Sequence, residues 1–139
     1  FERSLYPTYL SYLPKEKFTY KLKENKDSRG KFVEILKTSN TGQFSFFTAK
    51  PGIVRGNHYH NTKNEKFLVV KGQGKFLFKN MDNQERYELI VSEQTPEIVE
   101  TIPGWAHNIM NIGKEELIVL IWANENFDRK NPDTFYEEL

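Results

Sequence analysis

The residues of this chain best suited to chemistry are its histidines and one nearby glutamate. The chain has three histidines and no cysteine, so a metal site would have to use imidazole and carboxylate ligands. His58 and His60 are two residues apart, a spacing that puts both side chains on the same side of a β-strand. Glu65 follows a polar run that indicates a turn, which would bring its carboxylate back toward the two imidazoles. His107 lies far along the chain, in another segment of β-type composition.

Three imidazoles and one carboxylate suit a borderline divalent ion such as zinc, iron(II), manganese or nickel. We expect His58, His60, Glu65 and His107 to bind one such ion, with zinc as the first candidate. An ion with an open coordination position can act as a Lewis acid on a substrate oxygen. The alternative is that these are ordinary surface or half-buried side chains, because a His-x-His pair occurs by chance. With so few histidines in the chain, the metal site is the favoured interpretation.

Charge and composition limit the classes of partner. The chain carries 20 basic and 19 acidic residues, for a formal net charge of +1, which gives no electrostatic footprint for nucleic acid. No apolar run approaches the length of a membrane span, and no secretory signal is visible at the start. We therefore expect a cytoplasmic protein without nucleic-acid or membrane partners.

Short aromatic and β-branched segments recur between turn residues, a pattern typical of β-sandwiches and barrels. With 139 residues, the chain has the size of a single domain. We expect residues 24–30 to form a turn, with Gly30 at positive φ. Besides the segment of the histidine pair, the predicted strands are residues 18–22, 32–36, 44–49, 65–70, 75–79, 87–91, 97–102, 106–112 and 117–123.

The two ends of the chain differ from its middle. Residues 1–14 are rich in aromatic side chains and could form one or two helical turns before Pro14. Because the chain begins with Phe1 rather than Met, we interpret this segment as a connector from a preceding domain. Residues 15–126 would form the barrel, and the polar residues 127–139 a tail packed on it.

The ligand spacing carries a resemblance to a known family. Gly52, His58, His60, Glu65 and Gly72 have the spacing of the first cupin motif. The second motif resembles the segment Pro103-Gly104-Trp105-Ala106-His107, followed by Asn111. The resemblance implies an all-β cupin domain, a double-stranded β-helix or jelly-roll barrel.

A narrower resemblance covers nearly the whole chain. It rests on the segments Thr8–Pro14, Arg55–His60, Glu65–Phe67, Trp122–Glu125 and Asn131–Tyr136. These are similar to the C-terminal cupin half of bifunctional capsular-polysaccharide UDP-sugar enzymes. The resemblance implies a preceding reductase domain that binds NADPH. The cupin domain itself would not bind NADPH. The cupin domain would epimerise C-3 of a UDP-2-acetamido-2,6-dideoxy-4-hexulose, on the route to activated N-acetyl-L-fucosamine.

Two other functions remain open at this point. One is a metal-binding module without catalysis that serves dimerisation. The other is a different sugar-nucleotide reaction, such as a 3,4-ketoisomerisation, since cupins host many chemistries. The segment Leu117–Trp122 is apolar on both faces, which indicates cover on both sides and favours a homodimer.

Four further residues are candidates for contact with substrate. Arg29 and Arg55 each precede a glycine and resemble arginines of cupin deoxysugar epimerases that contact the nucleotide diphosphate or the sugar. The alternative for each is a turn-surface arginine paired with a carboxylate. Glu34 is a candidate catalytic carboxylate on an otherwise apolar strand, unless it faces solvent. Trp105 would stack on a base or sugar, or else plug the core.

Overall fold

A computed structural model describes residues 2–139, so Phe1 of the predicted connector lies outside the described residues. Short strands form wherever apolar and aromatic residues recur at alternate positions. The elements in chain order are α1 (Glu2–Ser11), a 3₁₀ turn (Lys15–Lys17), β1 (Glu24–Asp27), β2 (Gly30–Lys37), β3 (Gln43–Ala49), β4 (Val54–Tyr59), β5 (Glu65–Lys71), β6 (Gln73–Asn80), β7 (Arg86–Ser92), β8 (Ile98–Thr101), β9 (Trp105–Asn111), β10 (Leu117–Ala123) and β11 (Phe135–Tyr136).

These strands form two antiparallel sheets. One has six strands in the order β1-β2-β3-β10-β5-β8, and the other has five in the order β11-β4-β9-β6-β7. Sequence neighbours such as β4 and β5 lie in different sheets, so the chain crosses between sheets where the predicted ligands occur. The all-β architecture predicted from the sequence is confirmed.

The hydrophobic core lies between the two sheets. One buried cluster combines side chains of both sheets. The first sheet contributes Phe47, Phe67 and Val119, and the second contributes Phe76 and Ile109. The rings of Phe67 and Phe76 meet edge to face with their centroids 5.5 Å apart, an arrangement that stabilises aromatic pairs beyond their burial. This contact joins the sheets below the histidines, since Phe67 also packs edge-on against His107.

One predicted strand is wrong, and its place is taken by a neighbouring segment. Residues 18–22 have no strand structure, and Phe18 and Tyr20 are exposed. Instead β1 occupies part of the segment predicted as a turn and pairs with β2, with Asp27 opposite Gly30. The tight turn at residues 28–29 fixes this register. As a result, β1 makes the backbone hydrogen bonds to β2 that a strand at residues 18–22 would need. Gly30 has the predicted positive φ, at 148°.

The other predicted strands are present, with bounds shifted by about two residues at most. The predicted helical turns before Pro14 form helix α1, whose side chains are exposed where they are described. The chain tail is irregular apart from β11, which pairs with β4. Among residues 2–139 there is no helix long and apolar enough to cross a membrane.

The core location of Phe76 leads to a stability prediction. Its side chain is fully buried, whereas its neighbour Leu77 lies on the opposite face of β6 and is only half-buried. Phe76→Ala should lower the free energy of unfolding by about 3 to 5 kcal/mol, and Leu77→Ala by at most about 2 kcal/mol. Chemical denaturation followed by circular dichroism measures both. Equal losses in the two variants would contradict the placement of the core.

Candidate metal centre and its cavities

The fold brings the four predicted ligands together. His58 lies near the end of β4, His60 just after it, Glu65 at the start of β5, and His107 on β9. Strands β4 and β9 are paired with His58 opposite His107, which places two of the imidazoles side by side. One ligand atom from each of the four residues lies within 4.8 Å of all the others.

The distances around Glu65 fit a metal ion. Its Oε2 lies 3.3 Å from Nε2 of His60 and 3.4 Å from Nε2 of His107. Ligands bound tetrahedrally at about 2.0–2.1 Å are separated from each other by about 3.3–3.4 Å. Nε2 of His107 is buried and makes no hydrogen bond within the described residues. A nitrogen lone pair facing other ligand atoms without a partner is what a metal site requires.

Hydrogen bonds on the far side of the rings orient these lone pairs. Nδ1 of His60 bonds to the main-chain carbonyl of Asp133, and because a carbonyl only accepts, Nδ1 must carry the hydrogen. The lone pair of His60 is therefore on Nε2, toward Glu65. Nδ1 of His107 faces the carbonyl of Trp105 in the same way, at 3.5 Å. Metal-binding histidines in proteins are commonly oriented by such bonds.

The electrostatics favour the protonation states that bind metal. Burial, and then the neighbouring His107 and His60, lower the pKa of His58 to about 4. Burial would raise the pKa of Glu65, but the neighbouring His107 and His60 side chains outweigh it and hold that pKa well below its usual range. At neutral pH the His58 ring is therefore neutral and the Glu65 carboxylate is ionised, so neither group has to lose a proton before it binds an ion.

A bulge in β4 re-aims His58. The pairing of β4 with β9 shifts between Gly56 and His58, and both Gly56 and Asn57 have positive φ, at 101° and 62°. A Cβ on Gly56 would lie 2.8 Å from the carbonyl oxygen of His107, so only glycine fits there. Asn57 is held by a 2.7 Å hydrogen bond that its Oδ1 accepts from Asn108. Bulges of this kind redirect side chains beside functional sites.

The loop between His60 and Glu65 is held by a residue that sequence reasoning did not single out. The Asp133 carboxylate accepts hydrogen bonds from the backbone N–H groups of Asn61, Thr62 and Lys63, at 2.7 to 3.1 Å. Desolvation opposes ionisation of Asp133, but the N–H groups of Thr62, Asn61 and Lys63 outweigh it and lower its pKa well below the usual range. Asp133 lies within the segment Asn131–Tyr136 that carried the resemblance, and that was the one available signal.

Two cavities border the four-residue cluster, one of about 300 Å³ and one of about 270 Å³. They share four lining residues, namely Phe32, His58, Glu65 and Ile121. The larger cavity is also lined by His60, and the smaller by His107. A substrate in either cavity would therefore lie beside the cluster. A purely structural metal site would instead be closed to such a molecule.

The larger cavity contains Glu34. This residue alternates with the deeply buried Val33 and shares the inward side of β2 with Phe32, another lining residue. Glu34 therefore lines the larger cavity, with 39% of its side chain exposed to solvent. Its Oε2 lies 2.6 Å from Nζ of Lys37.

The smaller cavity contains the two predicted arginines. Nη2 of Arg55 donates to the carbonyl of Thr48 at 2.9 Å, and its guanidinium lies 5.6 Å from the ring centre of Phe47. Nε of Arg55 is buried and makes no hydrogen bond within residues 2–139. Burial, and then the charge of Arg29, lower the pKa of Arg55. Arg29 is more exposed and also forms the alternative contact, an ion pair with Asp27 at 2.6 Å.

Trp105 lies in a different place from the other candidates. It lines a third cavity of about 520 Å³ between β7 and β8, together with Phe78, Tyr87 and Ile98, and it packs against the core cluster. Trp105 lines neither of the two cavities beside the four-residue cluster, and its packing against the core agrees with the alternative that it plugs the core. Tyr59 points away from the histidines, as strand parity predicts, and stacks on Phe135 with centroids 5.2 Å apart.

Lys63 is a second residue that sequence reasoning missed. Its loop position suggested a solvent-exposed turn, but only 5% of its surface is exposed. It lines the larger cavity, and its ammonium lies 5.5 Å from the ring centre of Phe127. The polar residues around Lys63 give no sign in the sequence that its side chain is buried. The tail that covers it, including Phe127, is distant in the sequence.

Comparison with known proteins supports the fold and places the chain among carbohydrate-biosynthesis proteins. Residues 25–135 match a family model described as the polysaccharide biosynthesis C-terminal domain. The chain is 54% identical over 133 residues to UDP-2-acetamido-2,6-beta-L-arabino-hexul-4-ose reductase of Pseudomonas aeruginosa, covering 96% of this chain and 36% of the relative. The chain thus spans about a third of that protein's length.

Solved structures agree with this assignment. The capsular polysaccharide assembling protein CapF of Staphylococcus aureus superposes with a TM-score of 0.93 at 47% identity, over 99% of this chain and 40% of CapF. An oxalate decarboxylase of Bacillus subtilis superposes with a TM-score of 0.67 at 18% identity, covering 83% of this chain and 30% of that one. The second likeness concerns the fold alone, and it confirms the cupin barrel predicted from the motifs.

The role of Asp133 can be tested by metal affinity. Asp133→Ala keeps the carbonyl that bonds to His60 but removes the carboxylate that holds residues 61–63. Loss of such an outer contact should weaken metal binding by about 10- to 100-fold, measured by competition with a chromophoric chelator. Asp128→Ala is the matched control, because that exposed tail aspartate bonds only to the nearby N–H of Lys130. Unchanged affinity in a folded Asp133→Ala variant would contradict this role.

The depressed pKa of His58 predicts a pH dependence for the metal-free protein. Between its ordinary pKa of 6.5 and the folded value of about 4, the unfolded chain binds a proton that the folded chain does not. The free energy of unfolding should therefore decrease as the pH is lowered from about 6.5 to about 4, by about 3 kcal/mol in total from this group. Denaturation at several pH values should show a shallower fall in a His58→Gln variant. Identical curves for the two proteins would contradict the assignment.

Proposed function

The chain belongs to the family of polysaccharide biosynthesis C-terminal domains, and from that premise we propose that it is a metal-dependent nucleotide-sugar epimerase domain. Its substrate would be a UDP-2-acetamido-2,6-dideoxy-4-hexulose, inverted at C-3 during synthesis of the N-acetyl-L-fucosamine precursor of capsular or surface polysaccharide. The observation that carries the proposal is the cluster of His58, His60, Glu65 and His107 bordered by two cavities.

The relatives support the substrate class. The Pseudomonas aeruginosa relative is named as a reductase of UDP-2-acetamido-2,6-beta-L-arabino-hexul-4-ose, and the Staphylococcus aureus relative for capsular polysaccharide assembly. Since this chain spans 36% of the first relative, we assign the NADPH-dependent reduction to the remainder of such a protein. This domain would then act on the same sugar before or beside the reductase.

Epimerisation next to a ketone removes the C-3 proton and returns a proton on the opposite face of the sugar. The difficult species is the enolate, whose negative charge develops on the C-4 oxygen. A divalent ion bound by the four ligands, with zinc as the first candidate, would supply a Lewis acid for that charge. The two cavities that border the cluster give the sugar room to lie with C-3 beside the side chains that line them.

The residues of this chain have separate tasks in this proposal. Glu34 would take the C-3 proton, because it faces into the larger cavity beside His58 and Glu65. Arg55 and Arg29 would bind the diphosphate in the smaller cavity. The buried, unpartnered Nε of Arg55 supports this role, since a phosphate oxygen would satisfy it.

Assembly and location belong to the same proposal. The outward side chains of β10, Ile118, Leu120 and Trp122, are apolar and only half-buried. We infer that a second copy of the domain covers this face in a homodimer. We also place the protein in the cytoplasm, where nucleotide sugars are made.

Deuterium exchange tests the reaction directly. Incubation with a UDP-4-keto-6-deoxy-N-acetylhexosamine in deuterated water should place label at C-3, detected by NMR and mass spectrometry. Removing the metal with a chelator should abolish the exchange, and Glu34→Gln should slow it by at least about 100-fold. Glu88→Gln is the matched control, because that exposed glutamate pairs with Lys75 away from the cavities.

Other labelling patterns would assign the domain differently. Full exchange in a protein verified to be metal-free would refute the metal-dependent mechanism. Label appearing together with movement of the ketone to C-3 would indicate a 3,4-ketoisomerase. A protein that retains its metal but exchanges no proton would indicate a module without catalysis.

A further inference from the structure

We propose that Lys63 is a substrate-binding residue that contacts oxygens of the sugar in the larger cavity, next to the smaller cavity that Arg55 lines. This inference rests on the proposed function and deepens it, because it gives the substrate one orientation. The diphosphate would lie in the smaller cavity with the arginines, and the sugar in the larger cavity with Lys63.

The burial of Lys63 requires an explanation. Only 5% of its surface is exposed, although it lies in a loop. Among the salt bridges of residues 2–139, none includes Lys63, whereas Lys37 and Lys79 both pair with a glutamate. Burying a lysine side chain without a carboxylate partner costs free energy, and a ligand oxygen bonded to the ammonium would offset that cost.

The chain holds this lysine in place from two sides. Its backbone N–H donates to Oδ2 of Asp133 at 2.9 Å, which fixes the loop against the tail. Its ammonium faces the ring of Phe127 at 5.5 Å, a weakly attractive contact that leaves its hydrogen-bond donors free. Loop and tail together thus present a fixed cation to the cavity that His58, His60 and Glu65 also line.

The other residues of the larger cavity indicate which part of the substrate it takes. Besides the cluster residue Glu65, the carboxylates of Glu34 and Glu125 line it together with the buried polar side chains of Gln43 and Ser45. These added carboxylates would repel a diphosphate, whereas hydroxyl, amide and side-chain carboxylate groups suit the hydroxyl and acetamido groups of a sugar. The smaller cavity contains two arginines, and its single carboxylate is the cluster residue Glu65. The charges therefore divide the substrate between the cavities, and Lys63 lies on the sugar side.

Binding measurements on two probes separate the sugar from the diphosphate. UDP alone and UDP-N-acetylglucosamine, which has no ketone and does not react, would be titrated calorimetrically into metal-loaded protein. In Lys63→Met the affinity for UDP-N-acetylglucosamine should fall about tenfold while that for UDP is unchanged. In Arg55→Ala both affinities should fall. Lys66→Met is the matched control, because Lys66 is exposed on β5 and pairs with Glu100.

Each remaining outcome is informative. If Lys63→Met binds both probes as the wild type does, or loses both equally, the inference is wrong while the proposed function stands. If the wild-type protein binds neither probe, the proposed function itself fails. Lys63→Gln, compared by thermal unfolding, provides a second variant in case Lys63→Met does not fold.

Discussion

The site depends on one buried carboxylate packed among imidazoles. Glu65 lies inside the barrel with Oε2 3.3 and 3.4 Å from nitrogens of His60 and His107. A carboxylate in such surroundings is costly unless an opposite charge compensates it. Since burial lowers the pKa of the nearby His58 ring to about 4, that imidazole does not provide the charge at neutral pH. A divalent ion at the centre of the cluster would provide it.

Much of the surrounding structure serves to keep these groups in position. The bulge at Gly56 and Asn57 turns His58 inward across from His107. The tail returns over the loop that joins the two sheets, where Asp133 bonds to His60 through its carbonyl and to residues 61–63 through its carboxylate. The cluster is thus assembled from both sheets and the tail, which is why no short segment of the chain contains the site. The same tail contacts bring Lys63 into the cavity wall.

The sequence was informative wherever a local pattern sets the outcome. The period-two spacing of His58 and His60 and the alternation along most strands predicted the ligands and the barrel, because these depend on near neighbours in the chain. The strand at residues 18–22 was wrong, since a tight turn gave its place on the sheet edge to β1. Asp133 and Lys63 were missed because each owes its surroundings to a segment distant in the sequence, the loop at residues 61–63 for Asp133 and the tail for Lys63. Trp105 is two residues from His107 in the sequence but lines a different cavity, which spacing along one strand does not reveal.

The central claim is that the cupin barrel of this chain holds one divalent ion, and elemental analysis of the purified protein tests it most directly. After incubation with zinc and removal of free metal, the wild-type chain should retain about one ion per molecule. Glu65→Gln, which keeps the side-chain shape but removes its charge, should retain far less while remaining folded. A wild-type protein that retains no divalent ion, or a Glu65→Gln variant that retains as much as the wild type, would contradict the account.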